Sequence, residues 1–336
     1  MINIAINGFG RIGKTFLRTL LAEPECFKKI TVAVINVGKG DIQAAAYALK
    51  YDTIMGTLPQ AIEYKNGKLY IDSYSIDVIT ELDPEKAPWK AYGIDWVVEA
   101  SGHFTKQSGA QKHILAGAKK VLITAPADGE DITIIPGTNS NLYDASKHTI
   151  VSLGSCTTNA LVTMLTALSE NFDLAQVSMT TIHAYTNTQP LLDVDASVKD
   201  LRRGRAAALN IVPTTTGAMS LIERIMPHLA GKIMGGSLRV PVATVSLVDL
   251  TFTATKPVSV ESINKAFEQA SNTTLKHILG FTREPLVSSD YTGNNNSVTI
   301  DSLLTDAQDT TGKVFGWYDN EWGYSCRLKD FLLSIA

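Results

Sequence analysis

Short apolar runs alternate with amphipathic segments along the first half of the chain. Residues 2–6, 30–37, 94–100 and 119–124 are apolar and rich in Ile and Val, which predicts buried strands. Helical spacing of apolar residues follows the first run, and a further helix is predicted near 106–118. Strands that alternate with helices indicate βαβ units and a mostly parallel sheet.

The second half of the chain has a different pattern. A helix is predicted from about residue 156, and fewer crossover helices separate the strands that follow. Such a pattern favours an α+β domain, with a boundary near residue 150. The β-rich runs are 175–186, 237–256 and 297–303, and the further helices are predicted near 217–228 and 258–271.

Composition limits the class of protein. The 336 residues suggest about two domains, and a net charge of −3 argues against a broad basic surface for nucleic acid. No stretch approaches 18 unbroken apolar residues, and the N-terminus lacks the features of a signal peptide. Three cysteines do not make a disulfide framework and suit a reducing compartment, so we expect a cytoplasmic protein.

A glycine-rich turn joins the first strand to the first helix. Gly8, Gly10 and Gly13 have the G-x-G-x-x-G spacing of dinucleotide-binding proteins. The first glycine permits a tight turn, the second lets the backbone approach a pyrophosphate, and the third lets helix and strand pack closely. The helix N-terminus would offer N–H groups to the phosphates. The alternative is a glycine-rich turn without a ligand.

The tip of the second predicted strand bears on coenzyme choice. Dinucleotide sites usually carry an acidic residue there to bind the ribose 2′-hydroxyl. Here Val37 and Lys39 occupy the tip, and the first carboxylate is Asp41. Without an acidic side chain to repel a 2′-phosphate, the site could accept NADP. The alternative is that Lys39 is only a solvated loop residue.

Cys156 and His183 are the candidate reactive pair. Cys156 stands at the start of a predicted helix, where the positive end of the dipole lowers a thiol pKa. His183 ends a predicted strand, a place that commonly carries function. The alternatives are a small buried cysteine and an incidental histidine, and sequence alone does not show that the two side chains touch. Cys26 and Cys326 are interpreted as structural.

Several motifs occur in an order typical of one family. They are Asn-Gly-Phe-Gly-Arg-Ile-Gly, Ser-Cys-Thr-Thr-Asn, Thr-x-His-Ala-Tyr-Thr, Asp-Leu-Arg-Arg-x-Arg-Ala-Ala, Pro-Thr-Thr-Thr-Gly-Ala, Arg-Val-Pro and Trp-Tyr-Asp-Asn-Glu-Trp-Gly-Tyr-Ser. From residue 2 to about 335 the chain thus resembles phosphorylating glyceraldehyde-3-phosphate dehydrogenases. The sister family, erythrose-4-phosphate dehydrogenase, is the alternative. The intact Thr-Thr-Thr-Gly run at 214–217 argues against it, because the sister family is altered there.

The resemblance implies an α/β fold with two domains. An N-terminal Rossmann dinucleotide-binding domain is expected at 1–150, and an α+β catalytic domain with a mixed or antiparallel sheet at 151–316. The segment from about 187 to 205 resembles the subunit-crossing S-loop of the family. A C-terminal helix at 317–336 is expected to pack back on the Rossmann domain. The family is tetrameric, and no nucleic-acid or membrane partner is expected.

The resemblance also implies a reaction. Cys156 would attack the aldehyde of D-glyceraldehyde 3-phosphate, and His183 would act as general base. Hydride would pass to NAD or NADP and leave a thioester on Cys156. Inorganic phosphate would then release 1,3-bisphosphoglycerate, in a reversible step of glycolysis and gluconeogenesis.

The resemblance assigns three sets of binding residues and no metal site. Thr186, Arg203 and Arg239 would hold the substrate phosphate, and guanidinium and hydroxyl groups suit phosphate oxygens. Inorganic phosphate would lie against Ser155, Thr157, Thr216 and Gly217. Asn320 would hold the nicotinamide carboxamide, with Tyr324 beside the ring. The other expected cofactor contacts are Gly8, Gly10, Arg11, Ile12, Gly13, Asn36, Val37, Lys39, Ser101, Gly102, Thr124, Ala196 and Ser197.

Departures from the family pattern concern the coenzyme. Val37 replaces the usual Asp, and Ala196-Ser197 resembles the NADP-accepting photosynthetic members. Leu82, however, stands where an arginine that can assist NADP binding is common. The expected cofactor is therefore NAD or NADP.

Overall fold

The chain forms two compact units in the computed structural model, which describes residues 1–198 and 200–336. The first unit comprises Met1–Ser155 and Ser325–Ala336, and the second comprises Cys156–Tyr324. Lys199, inside the predicted S-loop, lies outside the described residues. The expected boundary at 150 was about five residues early, because residues 150–152 form a strand of the first sheet.

The first unit is built on a nine-stranded, mostly parallel sheet. Its elements are β1 (Ile2–Asn7), α1 (Arg11–Ala22), β2 (Ile30–Asn36), α2 (Ile42–Lys50), β3 (Tyr51–Asp52), β4 (Gly56–Thr57), β5 (Ile62–Lys65), β6 (Lys68–Ile71), β7 (Tyr74–Ile79), β8 (Trp96–Glu99), α3 (Gln107–Leu115), β9 (Lys120–Ile123), β10 (Ile132–Thr133) and β11 (Ile150–Ser152). The strand order is β10-β11-β9-β8-β1-β2-β7-β6-β5, and β3 pairs only with β4. The antiparallel strands β5 and β6 form an edge hairpin that is absent from the elements expected above.

The second unit is built on a mixed sheet. Its elements are α4 (Cys156–Ser169), β12 (Leu174–Ala184), β13 (Val212–Thr214), α5 (Ala218–Ile225), β14 (Ile233–Val240), β15 (Ser246–Ala254), α6 (Val260–Asn272), β16 (Leu279–Thr282), β17 (Val298–Asp301), β18 (Asp306–Gln308) and β19 (Thr311–Tyr318). The last helix, α7 (Trp322–Ser334), begins in this unit and belongs to the first unit from Ser325 onward. The order is β13-β14-β12-β15-β19-β17-β16, with β18 beside β19. The pairs β12–β14 and β16–β17 are parallel and the others are antiparallel. The α/β class expected from the resemblance is confirmed.

The C-terminal segment differs from the predicted helix at 317–336. Alternating burial continues along β19 to Tyr318, which keeps this stretch in the sheet. The helix begins at Trp322 because Oδ1 of Asp319 accepts the backbone N–H groups of Glu321 and Trp322.

The end of the C-terminal helix belongs to the first unit. The Phe331 ring lies 5.7 Å from that of Trp96 and 5.3 Å from that of Tyr143. Lys329, which is buried, pairs with Glu23. In the part of the chain that the structure describes, no helix is long and apolar enough to cross a membrane.

The turn between β1 and α1 requires two of its three glycines for packing. Gly8 has φ +93°, and a Cβ there would lie 2.4 Å from the backbone nitrogen of Ser101. A Cβ on Gly13 would lie 2.2 Å from the carbonyl oxygen of Gly8. A Cβ on Gly10, by contrast, would meet nothing within 4 Å. Packing within the unit therefore does not require a glycine at position 10.

We expect Gly13→Ala to lower the free energy of unfolding by about 1–3 kcal/mol, because the added methyl overpacks the turn. Gly10→Ala is the matched control, since its methyl has room, and it should change stability by about 0.5 kcal/mol or less. Urea unfolding of both variants measures the difference. Equal stability of the two variants would contradict the packing argument.

Candidate active site

A cavity in the first unit lies at the carboxyl ends of parallel strands. Its volume is about 580 Å³, and it is lined by the turns that follow β1, β2, β7 and β8. Dinucleotides bind at this edge of an open α/β sheet. Of the predicted cofactor residues, six line the cavity: Gly8, Gly10, Asn36, Val37, Lys39 and Ser101.

The other predicted cofactor residues of this unit have internal roles or lie beside the cavity. Arg11 pairs with Asp52 at 2.5 Å, and the Thr124 hydroxyl donates to the carbonyl of Glu99 at 3.1 Å. Gly13 packs against the Gly8 carbonyl. Ile12 lies in the first turn of α1 and Gly102 in the turn after β8, neither lining the cavity.

Asn36 lines the cavity, but its amide is committed to the protein. Its Nδ2 donates to Oδ1 of Asn7 and to the Glu81 carbonyl, both at 2.7 Å. Its Oδ1 accepts the N–H groups of Gly38 at 3.1 Å and Glu81 at 3.0 Å. A ligand contact from this side chain, as the sequence suggested, is therefore disfavoured by its existing bonds.

The cavity also contains a carboxylate that sequence reasoning missed. Glu81 lines it, and its Oε1 accepts the backbone N–H groups of Leu82 at 2.8 Å and Asp83 at 2.9 Å. Glu81 follows β7 rather than β2, so spacing from the glycine motif does not reveal it. Asp41, the first carboxylate after the tip, instead caps α2 by accepting the Ala44 N–H at 2.8 Å.

The second unit brings Cys156 and His183 together. Cys156 is the first residue of α4, and His183 lies near the end of β12. The Sγ of Cys156 is 3.5 Å from Nε2 of His183, within the distance of a sulfur hydrogen bond. His183 is only 5% exposed, so the imidazole approaches the thiol from the interior of the unit.

The other ring nitrogen of His183 lies between two partners of opposite kind. Nδ1 is 2.6 Å from the carbonyl oxygen of Ala184, which can only accept, and 2.7 Å from Nη1 of Arg239, which can only donate. Nη1 also donates to the Ala184 carbonyl at 2.9 Å. These contacts hold the imidazole with Nε2 facing the thiol. The parallel register of β12 with β14 sets this arrangement, because it pairs His183 with Arg239.

Burial keeps both reactive groups neutral. It lowers the pKa of His183 to about 3, and the charges of Arg239 and Arg203 act in the same direction. It also raises the pKa of the Cys156 thiol, against the opposing effects of the Arg239 charge and the Thr157 N–H. The thiolate-favouring shift expected from the helix N-terminus is thus outweighed by desolvation.

A buried hydroxyl cluster, which sequence reasoning missed, supports the pair. The Tyr318 hydroxyl lies 3.0 Å from Oγ1 of Thr157 and 2.8 Å from Oγ1 of Thr181. Burial raises the pKa of Tyr318, so the phenol stays protonated. Thr157 is therefore part of a hydrogen-bonded cluster at the start of α4.

The predicted nicotinamide residues lie in the same unit. Asn320 is buried, and its Oδ1 accepts the Ser246 hydroxyl at 3.1 Å. The same hydroxyl oxygen accepts the N–H of Ala184, the residue after His183, at 3.1 Å. Tyr324 is buried, and desolvation raises its pKa.

Of the predicted substrate-phosphate residues, Arg239 contacts His183, and Arg203 and Thr186 are linked through Thr188. Nη2 of Arg203 donates to the Thr188 hydroxyl at 2.8 Å, which lies 3.0 Å from the hydroxyl of Thr186. Nε of Arg239 is buried and has no hydrogen-bond partner. A buried donor without a partner is costly, and an anionic oxygen would satisfy it.

The remaining predicted residues lie on other elements. Thr216 and Gly217 precede α5, and Ser155 is assigned to the first unit. Ala196 and Ser197 line a separate cavity of about 440 Å³ within the second unit. Over residues 1–198 and 200–336, no group of three or more His, Cys, Asp or Glu side chains could hold a metal ion.

We expect His183 to make stability fall in acid. Its pKa is about 3 in the folded protein and about 6.5 in an unfolded chain, so only the unfolded chain gains this proton between those values. Between pH 6 and pH 4, the free energy of unfolding should drop more steeply than in His183→Gln, by up to about 1.4 kcal/mol per pH unit. Urea unfolding at several pH values measures the slopes. Replacing the exposed His103 with Gln is the control, and equal slopes in wild type and His183→Gln would contradict the prediction.

Comparisons with known proteins agree with this geometry. Residues 2–107 match the model described as "Glyceraldehyde 3-phosphate dehydrogenase, NAD binding domain", and residues 155–320 match the corresponding C-terminal domain. Glyceraldehyde-3-phosphate dehydrogenase 1 of Bacillus cereus is 47% identical over 331 residues, covering 98% of this chain and 97% of the relative. Glyceraldehyde-3-phosphate dehydrogenase 2 of Streptomyces avermitilis is 45% identical over 336 residues, covering 100% and 98%. The chain belongs to the glyceraldehyde-3-phosphate dehydrogenase family.

Proposed function

We propose that the protein oxidises and phosphorylates D-glyceraldehyde 3-phosphate, with Cys156 as nucleophile and His183 as general base. The observation that carries this proposal is the 3.5 Å approach of Sγ to a neutral imidazole nitrogen, beside the unpartnered buried Nε of Arg239. The comparisons give no support to the erythrose-4-phosphate alternative. The reaction would serve glycolysis and run in reverse in gluconeogenesis.

In the first step, the Sγ of Cys156 bonds to the aldehyde carbon. Because the thiol and the imidazole are both neutral, the thiol proton passes to Nε2 of His183 as the bond forms. The helix N-terminus at Cys156 supplies N–H groups for the developing oxyanion, which takes up a proton to complete a thiohemiacetal. Arg203, Arg239 and Thr186 would fix the substrate phosphate during this step.

In the second step, the thiohemiacetal carbon is oxidised to a thioester. His183 takes the hydroxyl proton, and bound nicotinamide supplies the acceptor for the hydride. Inorganic phosphate, held by Ser155, Thr157, Thr216 and Gly217, then attacks the thioester carbonyl. The C–S bond breaks, the thiolate of Cys156 leaves and takes back the proton held by His183, and 1,3-bisphosphoglycerate is released.

The chain offers a fitting cradle for the dinucleotide. The space beside Gly10 is open where a pyrophosphate must approach, and the N-terminus of α1 begins there. The match to the NAD-binding domain model supports NAD as cofactor. Asn320 and Tyr324 would hold the nicotinamide end, and the turns that line the cavity of the first unit would hold the adenosine end.

NADP use is also proposed, on a narrower basis. Val37 and Lys39 line the cavity where an Asp would repel a 2′-phosphate. Glu81 lines the same cavity and opposes the charge of Lys39. The two effects favour relaxed coenzyme choice rather than strict NADP preference.

A homotetramer in the cytoplasm is the proposed working form. The S-loop segment exposes large apolar side chains, including Leu191 at 81% and Val198 at 87%. Exposed apolar groups clustered in one segment indicate an interaction surface. The S-loop of a partner copy is the occupant that the family resemblance suggests, and a reactive thiol suits a reducing compartment.

Turnover of glyceraldehyde 3-phosphate should depend on inorganic phosphate. With NAD but no phosphate, initial rates should show a burst of about one NADH per site and then stop, because the thioester accumulates. Cys156→Ser should lose activity on the order of 10⁴-fold or more. Continuous turnover without phosphate, or faster turnover of erythrose 4-phosphate, would contradict the proposal.

Val37→Asp should reduce kcat/KM with NADP and spare kcat/KM with NAD, because the new carboxylate repels a 2′-phosphate. The ratio of kcat/KM with NAD to kcat/KM with NADP should rise by about tenfold or more, or ~1.4 kcal/mol. Val37→Asn is the uncharged control. The proposal of relaxed coenzyme choice would be wrong if kcat/KM of the wild type with NAD exceeded that with NADP by about a hundredfold, or ~2.7 kcal/mol.

A further inference from the structure

Beneath the cavity of the first unit, the buried carboxylate of Glu99 meets four hydrogen-bond donors. Oε2 accepts Nδ2 of Asn7 at 2.6 Å and Nε2 of His113 at 3.0 Å. Oε1 accepts the backbone N–H of Ser101 at 2.8 Å and also the Ser101 hydroxyl. Glu99 is 2% exposed, and its bonds to Asn7 and His113 are buried, whereas those to Ser101 are partly buried.

The tautomer of His113 is set from the hydrophobic core. Nε1 of Trp89, which only donates, lies 3.0 Å from Nδ1 of His113, so Nδ1 is the acceptor. Nε2 must then carry the proton that it donates to Glu99. Trp89 and His113 are both 0% exposed, so solvent does not supply the donor to Nδ1 or the acceptor for Nε2.

The same network reaches the turns that line the cavity. Asn7 ends β1 and accepts Nδ2 of Asn36, which ends β2. Asn36 in turn bonds the backbone of Glu81, after β7. With Ser101, after β8, the network ties together the four turns around the cavity.

We propose that Glu99 and His113 are positioning residues for the dinucleotide, acting through the four turns that they hold in register. This inference rests on the dinucleotide site of the proposed function. Affinity for NAD therefore depends on the acceptor capacity of Glu99 and on the tautomer of His113.

Glu99→Gln tests the acceptor capacity with almost no change in shape. The amide replaces one accepting oxygen by an NH₂ group, which must face either the backbone N–H of Ser101 or the donors of Asn7 and His113. A buried donor–donor contact is costly and would displace either Ser101 or the Asn7 side of the cavity.

Titration calorimetry with NAD should show binding weakened by about tenfold or more in Glu99→Gln. The matched control is Glu130→Gln, a buried glutamate of the same unit that accepts the Thr133 hydroxyl at 2.6 Å and does not line the cavity. The control should bind NAD within about twofold of wild type. Both variants should melt cooperatively and keep the wild-type rate of Cys156 alkylation without NAD.

A second variant separates positioning from simple packing. In the Trp89→Phe background, Nδ1 of His113 is free to carry the proton, so Nε2 can accept the NH₂ of Gln at position 99. The double variant should therefore bind NAD about threefold or more tightly than Glu99→Gln alone. If the two substitutions only caused independent packing defects, their losses of NAD binding free energy would instead add.

NAD affinity within twofold of wild type in Glu99→Gln, or fully additive losses in the double variant, would overturn the positioning role. Equal losses in Glu130→Gln would also overturn it, because the effect would then follow from any buried charge removal. If wild type itself failed to bind NAD, the proposed function and this inference would fail together.

Discussion

The parallel pairing of β12 with β14 is the constraint on which the reactive site depends. It places His183 opposite Arg239, and the carbonyl of Ala184 lies within hydrogen-bond distance of both side chains. These contacts hold the imidazole with Nε2 directed at the Sγ of Cys156. A shift of one residue in this register would turn one of the two side chains to the other face of the sheet, so the site could not tolerate it.

In the resting site, the Cys156 thiol and the His183 imidazole are both uncharged. Burial opposes both the thiolate and the imidazolium, and Arg239 lowers the pKa of the Cys156 thiol and of His183 alike. A phosphate dianion bound to Arg239 would offset that positive charge and so raise the basicity of His183. Binding of a phosphorylated substrate and strengthening of the base would then be one event, which ties proton transfer to an occupied site.

Local chemistry made some features predictable from sequence. Gly8 and Gly13 were assigned to a tight turn and a close packing contact, and the distances to Ser101 and Gly8 show why a Cβ is excluded. Cys156 at a helix start and His183 near a strand end followed from periodicity, which reports the elements that carry them.

Features that depend on distant parts of the chain were missed. Tyr318 lies within the predicted helix at 317–336, but its segment is a strand. Pairing with β15 and β17, rather than the local sequence pattern, determines this structure. Glu81 escaped notice because β7 adds to the sheet beside β2 from outside the expected βαβ unit. The hairpin of β5 and β6 did carry a local signal: Asn66-Gly67, both with positive φ, forms its turn.

The two units differ in how their buried polar side chains are satisfied. Each places polar side chains in the interior at the ends of neighbouring parallel strands, a costly arrangement unless the groups satisfy one another. In the first unit, Glu99 and Asn36 engage their donors and acceptors within the protein, so the network fixes geometry and leaves contact with the ligand to backbone and turns. In the second unit, Nε of Arg239 is left without a partner. An anionic oxygen would satisfy that donor beside His183, which is why we propose anion binding for this network and a positioning role for the complete network of the first unit.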